Sequence, residues 1–572
     1  MAETRAELIV RRRSSGDATA LPPDLHPVLR RLYASRGVGD AQGLSLELKT
    51  LLPPDLCGID RAGTLLADAI VAGKHIVIAG DYDADGATGT TLAVLGLRAL
   101  GATSVDYVVP NRFTMGYGLS PALTAEAVQQ GAEVLVTVDN GIASATGVAA
   151  AKAAGLTVIV TDHHLAPSEL PAADAIVNPN QPGCPFPSKH LAGVGVMFYL
   201  LGAVRAVLRE RGGFADRPEP NLAEFLDLVA LGTVADVVRL DHNNRVLVAQ
   251  GLARIRVGRC RPGLLALLQA AERTAERVSA QDLGFVLGPR LNAAGRLDDM
   301  RVGIECLLAP DLETARPLAA QLDALNRERR QIEQQMRDEA LAALPDTDDS
   351  VGLCVYDDRW HEGVVGLVAS RVRERTHRPT IAFAPGADSS MLKGSGRSIR
   401  GLHLRDVLAA IDAHHPGLIE RFGGHAMAAG LSLSRTHLDA FGDAFDQQCR
   451  AVLSAADLDE VVETDGELTA AELQLETARV LEQAGPWGQG FPEPSFEGQF
   501  EVLAAQPVGA DGRHIRYRLG LLRGQSLVAI HFDGAGQHAS GGRIHIVYQL
   551  LINRFRQTEN MEILIRHLRV LD

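Results

Sequence analysis

The sequence predicts an α/β protein of two lobes joined by one long helix and followed by a small β-barrel. Between His75 and Val160, short continuous apolar runs alternate with alanine-rich helical stretches. That is the pattern of a mostly parallel sheet covered on both faces. A second alternation of this kind begins near Val351, after one uninterrupted helical stretch from Asp311 to Leu344. Beyond Glu493 the hydrophobic period falls toward two, over five short runs, as in a compact antiparallel barrel.

Taken in order, 572 residues hold about three or four domains at roughly 100–200 residues each. Residues 1–60 read as a lead-in punctuated by Pro22, Pro23, Pro53 and Pro54. The first lobe spans 61–310. Its strands are expected at His75–Ala79, Val105–Val109, Val134–Val138 and Val158–Val160, with helices at Thr88–Leu100, Pro121–Gln130 and Ala143–Ala154. A further helix runs from Asn221 to Gly232, and the proline-rich segment Asn178–Ser188 reads as a surface loop. The connecting helix occupies 311–345, and its charged middle, Asn326–Arg330, predicts partial solvation. The second lobe, 346–456, shows strands at Val351–Tyr356 and Thr380–Ala384 around a helix at Val364–Arg373, with tight glycine loops at Gly394–Gly396 and Arg421–His425. The tail, 457–572, opens with an acidic stretch and continues in strands at Phe496–Leu503, Ile515–Leu521, Leu527–Phe532, Arg543–Leu550 and Met561–Leu568.

Composition removes several classes. Hydrophobic residues make up 46% and charged residues 22%, which is globular rather than disordered composition. No apolar run approaches the roughly 18 residues of a membrane helix, and no secretory signal follows Met1–Arg13. Cys57, Cys184, Cys260, Cys306, Cys354 and Cys449 are scattered without a CxxC pair, so neither a zinc ribbon nor a disulfide scaffold is expected and a cytoplasmic location is. The net charge of -14 is a sum to which metal-binding aspartates would contribute, and it decides nothing about a polyanionic substrate. P-loop, zincin and nucleophile-elbow motifs are absent, which disfavours those hydrolase classes.

The chemistry concentrates at strand ends. Gly80-Asp81-Tyr82-Asp83-Ala84-Asp85-Gly86 follows the first strand directly. Carboxylates so closely spaced repel, and a divalent cation removes the cost of burying them. Asp139-Asn140-Gly141 ends another strand and Thr161-Asp162-His163-His164 a third, while Asp236 follows the helix at 221–232. In a parallel sheet these ends converge on the edge where such folds place ligands. Aspartates there also serve as helix caps, and the glycine loops also serve as plain turns. As a set, the carboxylates and imidazoles suffice for two adjacent Mg²⁺ or Mn²⁺ ions, the arrangement used in phosphoryl hydrolysis.

These motifs, in this order, resemble the DHH phosphoesterase superfamily and, within it, the bacterial RecJ family of single-stranded-DNA-specific exonucleases. Asp162-His163-His164 is the namesake signature, Gly288–Arg296, Trp360–Gly366 and Gly394–Ser398 are blocks of the exonuclease branch, and Gly423-Gly424-His425 marks the associated second domain. The resemblance spans about residues 40–570. It implies DHH, DHHA1 and OB-fold domains, with the two lobes enclosing a cleft. Asp81, Asp83, Asp85, Asp139, His163 and Asp236 are then metal ligands, and His164 polarises the scissile phosphate; Asp81, Asp83 and Asp139 join it as catalytic residues. Arg290, Asn292, Arg296, Arg397, Gly424 and His425 are the DNA- or phosphate-contacting groups. The implied reaction is 5′-to-3′ hydrolysis of single-stranded DNA to 5′-mononucleotides with two Mn²⁺ or Mg²⁺ ions, in DNA recombination and repair. The implied partners are a DNA strand with a free 5′ end, a single-stranded-DNA-binding protein and a helicase, and the implied state is a monomer. Of the tail aromatics Tyr517, Phe532, Tyr548 and Phe555, at least half are expected in the core and the others as stacking surfaces. A small-substrate phosphoesterase of the same superfamily and a non-enzymatic DNA-binding scaffold are the competing readings. The tail and the Gly288–Arg296 block weigh against the first, and the unbroken acidic set against the second.

Overall fold

The computed structural model describes residues 8–112, 115–343, 350–386, 388, 390–509, 512–521, 526–537, 539–554 and 558–571. The chain forms two compact units, one containing Leu52–Val238 and Gln250–Glu460, the other Ile9–Leu51, Arg239–Ala249 and Val461–Asp572.

In the first unit, strands β2 (Ile76–Ala79), β3 (Val105–Val108), β4 (Val134–Val138), β5 (Thr157–Thr161) and β6 (Ala175–Val177) make a parallel sheet in the order β3-β2-β4-β5-β6. Every residue of β2 and β4 is buried, whereas edge strand β3 exposes Asp106. That contrast is why the central strands read as unbroken apolar runs. On one face Val77, Leu135 and Val158 pack with Leu123, Ala127, Val148 and Ala151 from helices Pro121–Gln129 and Ala145–Ala153. Helices Ala84–Leu100 and Gly193–Glu210 pack on one another and on the sheet, and Leu226–Ala235 joins them.

The connecting helix spans Leu312–Ala343. Its charged middle is partly solvated, as the sequence predicts: Arg327, Glu328 and Arg330 are exposed. Asn326, Arg329 and Glu333 are buried, and Arg329 donates to Asn326 and Glu333 at 3.1 Å each. Glu333 also takes Arg371, and Glu339 accepts from the Trp360 indole at 3.0 Å. The helix is thus fastened to the second lobe by side chains that look like surface charge in sequence.

The second lobe is a mixed sheet ordered β10-β11-β9-β8-β7. Its strands are β7 (Leu353–Tyr356), β8 (Thr380–Pro385), β9 (Met391–Arg397), β10 (Arg421–Gly424) and β11 (Ala428–Ser434). Both predicted glycine loops are corrected here. Gly394–Gly396 lies inside β9, paired on both sides, and Arg421–Gly424 is strand β10. Gly424 turns the hairpin at φ 138°, where a Cβ would sit 2.5 Å from the Ala428 carbonyl oxygen, so only glycine fits.

The second unit closes a barrel from β13 (Phe496–Val508), β14 (His514–Gly520), β15 (Ser526–His531), β16 (Arg543–Asn553) and β17 (Asn560–Leu571), in the order β13-β14-β15-β17-β16. The closing pair β15–β17 is parallel, so the barrel is not wholly antiparallel. Residues 9–51 are part of this unit rather than a free lead-in. Strand β1 (Leu8–Arg12) pairs with β12 (Glu460–Thr464), and the buried Arg36 guanidinium is held by Asp465 at 2.8 and 2.9 Å beneath the Trp487 ring. Tyr33 donates to the Ala484 carbonyl at 2.7 Å, and Arg245 lies 3.9 Å above the Phe491 ring. Tyr517 and Tyr548 are core residues at 1% exposure, Phe532 is exposed, and Phe555 lies outside the described residues.

Candidate metal centre

The carboxyl ends of β2, β4 and β5 deliver the aspartate and histidine side chains to one place. Asp83 caps the helix Ala84–Leu100 by accepting from the Gly86 amide at 2.9 Å, so the capping and the ligand readings of this residue coincide. The next amide, Ala84, donates to Asn292 Oδ1 at 2.8 Å. Asp85 is buried and accepts from the Gly193 and Val194 amides at 2.6 and 2.9 Å, at the start of helix Gly193–Glu210. Asp139 follows β4 at φ 64°, a left-handed turn that aspartate tolerates better than most residues.

The ligand atoms fall into overlapping groups within 4.8 Å of one another: Asp81, Asp83 and Asp139; Asp85, His163 and Asp236; and Asp139, His163 and His164. His163 Nε2 lies 3.0 Å from Asp139 Oδ1 and 3.5 Å from Asp236 Oδ2. Asp81 Oδ1, Asp139 Oδ1 and His163 Nε2 are all buried, and among the described residues none has a hydrogen-bond partner. Buried polar atoms without partners are costly. Three of them, of metal-ligating type and converging on one point, fit divalent cations held by carboxylate oxygen and imidazole nitrogen.

The electrostatics agree. Burial, then the Asp83 charge, holds the Asp81 carboxyl well above the ordinary range, and burial with Asp85 does the same to Asp139. Asp85 is pushed up to about 7 by burial and Asp236, and Asp236 to about 8 by burial and Asp83. Burial and the neighbouring His164 push His163 down, toward the neutral imidazole a metal needs. His164 goes the other way. Burial opposes its charge, but a 2.7 Å hydrogen bond to Asp162 outweighs that and lifts it to about 9. Asp162 also accepts from the amides of Ile142, His163 and His164, so it fixes the loop rather than facing the ligand cluster.

These raised carboxyls predict a pH dependence. A carboxyl whose folded pKa exceeds its unfolded value of about 3.9 favours the fold only while protonated. Its contribution is complete below about pH 4 and is lost as pH rises through about 7 for Asp85 and about 8 for Asp236. Metal-free protein is therefore expected to lose stability between those limits. A fixed Mn²⁺ concentration, 100 times the Kd at pH 6, should restore about 2.7 kcal/mol at that pH and more at pH 8, where the carboxyls are already deprotonated and the Kd is lower, so the melting-temperature rise should be larger at pH 8 than at pH 6. Thermal unfolding at both pH values with and without Mn²⁺ checks this; an increment that does not grow with pH would count against it.

The structure treats the other predicted contacts unequally. Arg296 is half-buried, donates to the Gly363 carbonyl at 3.1 Å, and is pushed down to about 10 by burial and by Arg112 and Arg397. Arg397 anchors one nitrogen, Nη1, on Ser395 and the Gly396 carbonyl, at 3.1 and 2.8 Å. Burial, then Arg373 and Arg112, pushes it down as well. Among the described residues neither has a carboxylate partner. His425 stands with its ring 6.4 Å from that of His164 and nearly parallel to it, so the Gly424 hairpin does face the centre. Arg290 is placed differently. Its guanidinium is held by Asp323 at 2.8 and 3.0 Å and by the Val286 carbonyl at 2.7 Å, which ties it to the connecting helix instead of to a phosphate. Asn292 spends its carbonyl oxygen on Ala84 and acts on the centre through that loop.

Other groups at the centre carry no motif of their own. Tyr117 donates to the Asp139 carbonyl at 3.1 Å and lies 3.2 Å from His164 Nδ1. Arg112 sits 4.9 Å above the Tyr82 ring and adds a third guanidinium charge, with no carboxylate partner among the described residues. Asn178 and Asn180, from the proline-rich segment, donate to the carbonyls of His164 and His163 at 2.9 and 2.6 Å, so that segment braces the signature. Gly193 is as confined, since a Cβ there would lie 2.6 Å from Asp139 Cβ. Gly193→Ala is expected to displace Asp139 and weaken Mn²⁺ affinity at least 10-fold, the effect of disturbing groups that orient metal ligands. Isothermal titration with Mn²⁺ measures it.

Comparison with known proteins places this geometry. Residues 75–233 match the DHH family N-terminal domain, 349–451 the DHHA1 domain and 464–567 the RecJ OB domain. The combination defines a DHH-type phosphoesterase extended by an OB-type barrel. The chain is 53% identical over 571 residues to the single-stranded-DNA-specific exonuclease RecJ of Dickeya dadantii, covering 98% of each chain. To that of Thermus thermophilus it is 33% identical over 560 residues, covering 94% of this chain and 76% of the other. The crystal structure of Thermus thermophilus RecJ in complex with Mn²⁺ superposes with a TM-score of 0.82 at 30% identity, covering 100% of this chain and 80% of that one. The Mg²⁺ complex gives 0.77. This chain belongs to the RecJ family of single-stranded-DNA-specific exonucleases.

Proposed function

We propose that the centre hydrolyses single-stranded DNA from its 5′ end and releases 5′-mononucleotides. The chain is a metal-dependent exonuclease of single-stranded DNA, of the recombination and repair class. The observation that carries the proposal is the set of three ligand atoms, Asp81 Oδ1, Asp139 Oδ1 and His163 Nε2, that have no hydrogen-bond partner among the described residues and stand beside arginines with no carboxylate partner among them.

Asp81, Asp83, Asp85, Asp139, His163 and Asp236 would hold two Mn²⁺ or Mg²⁺ ions; Asp139 is common to two of the ligand groups. When bound, such ions activate water and stabilise the leaving oxygen. His164 keeps its proton at neutral pH because Asp162 pairs with it, so its ring can donate to an oxygen of the scissile phosphate. Tyr117 holds that ring in place. Arg397, with Arg112 and Arg296, grips the terminal phosphate, and His425 adds a donor from the second lobe. That grip sets the distance from the 5′ end to the metals, and with it the polarity. Asn292 and Gly424 shape the loops that approach the strand. A single-stranded-DNA-binding protein and a helicase, which deliver such strands, are the partners this reading expects, with the chain acting as a monomer in the cytoplasm.

The test is a time course on strands labelled at either end, with Mn²⁺ or with EDTA. A 5′ label should appear at once as mononucleotide while a 3′ label shortens progressively, and EDTA should stop both. A 5′-labelled ladder would reverse the polarity. Cleavage of a dinucleotide in preference to the long strand would favour the small-substrate reading.

A further inference from the structure

Phe285 is 75% exposed, while Leu283 and Leu287 on either side of it are fully buried. It lies in a short π-helix, Leu283–Leu287, that runs directly into helix Gly288–Leu297. Single π turns are rare and recur at functional sites. One exposed phenylalanine means little alone, but its surroundings are specific. A Cβ on Gly284 would lie 3.1 Å from Val234 Cγ1, and one on Gly288 would lie 3.0 Å from Ala235 Cβ. The π turn is therefore pressed onto the end of the helix that presents Asp236. The residue after Asp236, Val237, is held at φ 60° and is 64% exposed. The helix that continues from the π turn carries Asn292 and Arg296 to the centre. Exposed Arg273 and Arg330 act on Arg290 electrostatically, and Arg327 shares Asp323 with it; with Arg273 paired to Asp282 at 3.2 Å, four guanidinium charges meet two carboxylates around Arg290, whose Nη1 donates to the Val286 carbonyl beside Phe285.

We propose that Phe285 is a stacking platform for one unpaired nucleobase of the substrate strand, at a fixed number of nucleotides from the scissile phosphate. This rests on the single-stranded-DNA reading and adds a position to it. An aromatic ring held rigidly in a basic setting takes any base, because every base has a π-face. A paired base has both faces covered by its neighbours, so the platform also selects against duplex. Its flanking leucines fill the core, so the ring itself serves no packing purpose that the structure shows.

The experiment is an abasic scan. A strand of about 15 nucleotides carries one abasic site at each position in turn, and its affinity is measured with Ca²⁺ in place of Mn²⁺, on the wild type and on Phe285→Ala. In the wild type, one position should weaken binding by roughly 5- to 150-fold, the range of a base–aromatic stack. Phe285→Ala should bind the intact strand more weakly by a similar factor and lose no more when that same base is removed. Phe285→Trp should bind like the wild type and show quenched indole emission when the strand is added. Melting curves accompany both variants, and if the alanine variant unfolds, the tryptophan emission and the wild-type scan decide. Equal loss at every position, or full affinity of Phe285→Ala with no change in Phe285→Trp emission, would overturn the platform and leave the ring as a surface for a protein. Digestion of the intact strand by the wild type with Mn²⁺ is the control that tests the exonuclease reading separately.

Discussion

Replacing Asp139 by asparagine is expected to lower kcat on single-stranded DNA by about 10³-fold or more and to leave the fold intact. The magnitude follows from losing several kcal/mol of metal-borne charge stabilisation. Asp139 is shared between two of the ligand groups, and its Oδ1 has no hydrogen-bond partner among the described residues. Asparagine is the sharper replacement because the residue sits at φ 64°, which asparagine tolerates and alanine does not. Removing one of several buried carboxylates also relieves repulsion, so the metal-free variant should melt no lower than the metal-free wild type. Asp139→Ala should be equally inactive but less stable, through the backbone. Steady-state kinetics with melting curves separates these effects. Near-normal kcat in the asparagine variant would remove Asp139 from the centre.

Arg397→Ala should cost about 1.5–3 kcal/mol, the range of a charge-assisted hydrogen bond, or roughly 10- to 150-fold in kcat/KM. The loss is expected on a 5′-phosphorylated strand and should be far smaller on a 5′-hydroxyl strand. Among the described residues only Nη1 of this guanidinium is engaged, by Ser395 and the Gly396 carbonyl, which leaves its other nitrogens for a phosphate. A role in bracing the strand alone predicts equal loss on both substrates and a lower melting temperature. Equal loss would transfer the end contact to Arg112 and Arg296.

The acidic centre is legible in sequence because the rule behind it is local. A buried parallel strand must end, its end faces the ligand edge, and Asp81–Asp85, Asp139 and His163 each follow such a run directly. The strands of the second lobe are less legible. Gly394 and Gly396 carry no apolar alternation, because large neighbours fill their places: a Cβ on Gly394 would be 2.5 Å from the Phe383 ring. Arg290 looks like a phosphate contact in its block, and nothing near it in sequence reveals Asp323, 33 residues on, as its partner. Tyr117 and Arg112 belong to no spacing pattern and acquire their positions only when the loop after β3 folds over the centre. Residues 9–51 read as a lead-in because their partners, Asp465, Trp487 and Phe491, lie more than 400 residues away.

Anomalous diffraction from crystals soaked in Mn²⁺ bears most directly on the account. Two peaks are predicted, each about 2.0–2.3 Å from carboxylate oxygens. Asp139 should lie between them, with Asp81 and Asp83 on one side and Asp85, His163 and Asp236 on the other. No peak among these residues, or manganese bound only elsewhere on the chain, would contradict it.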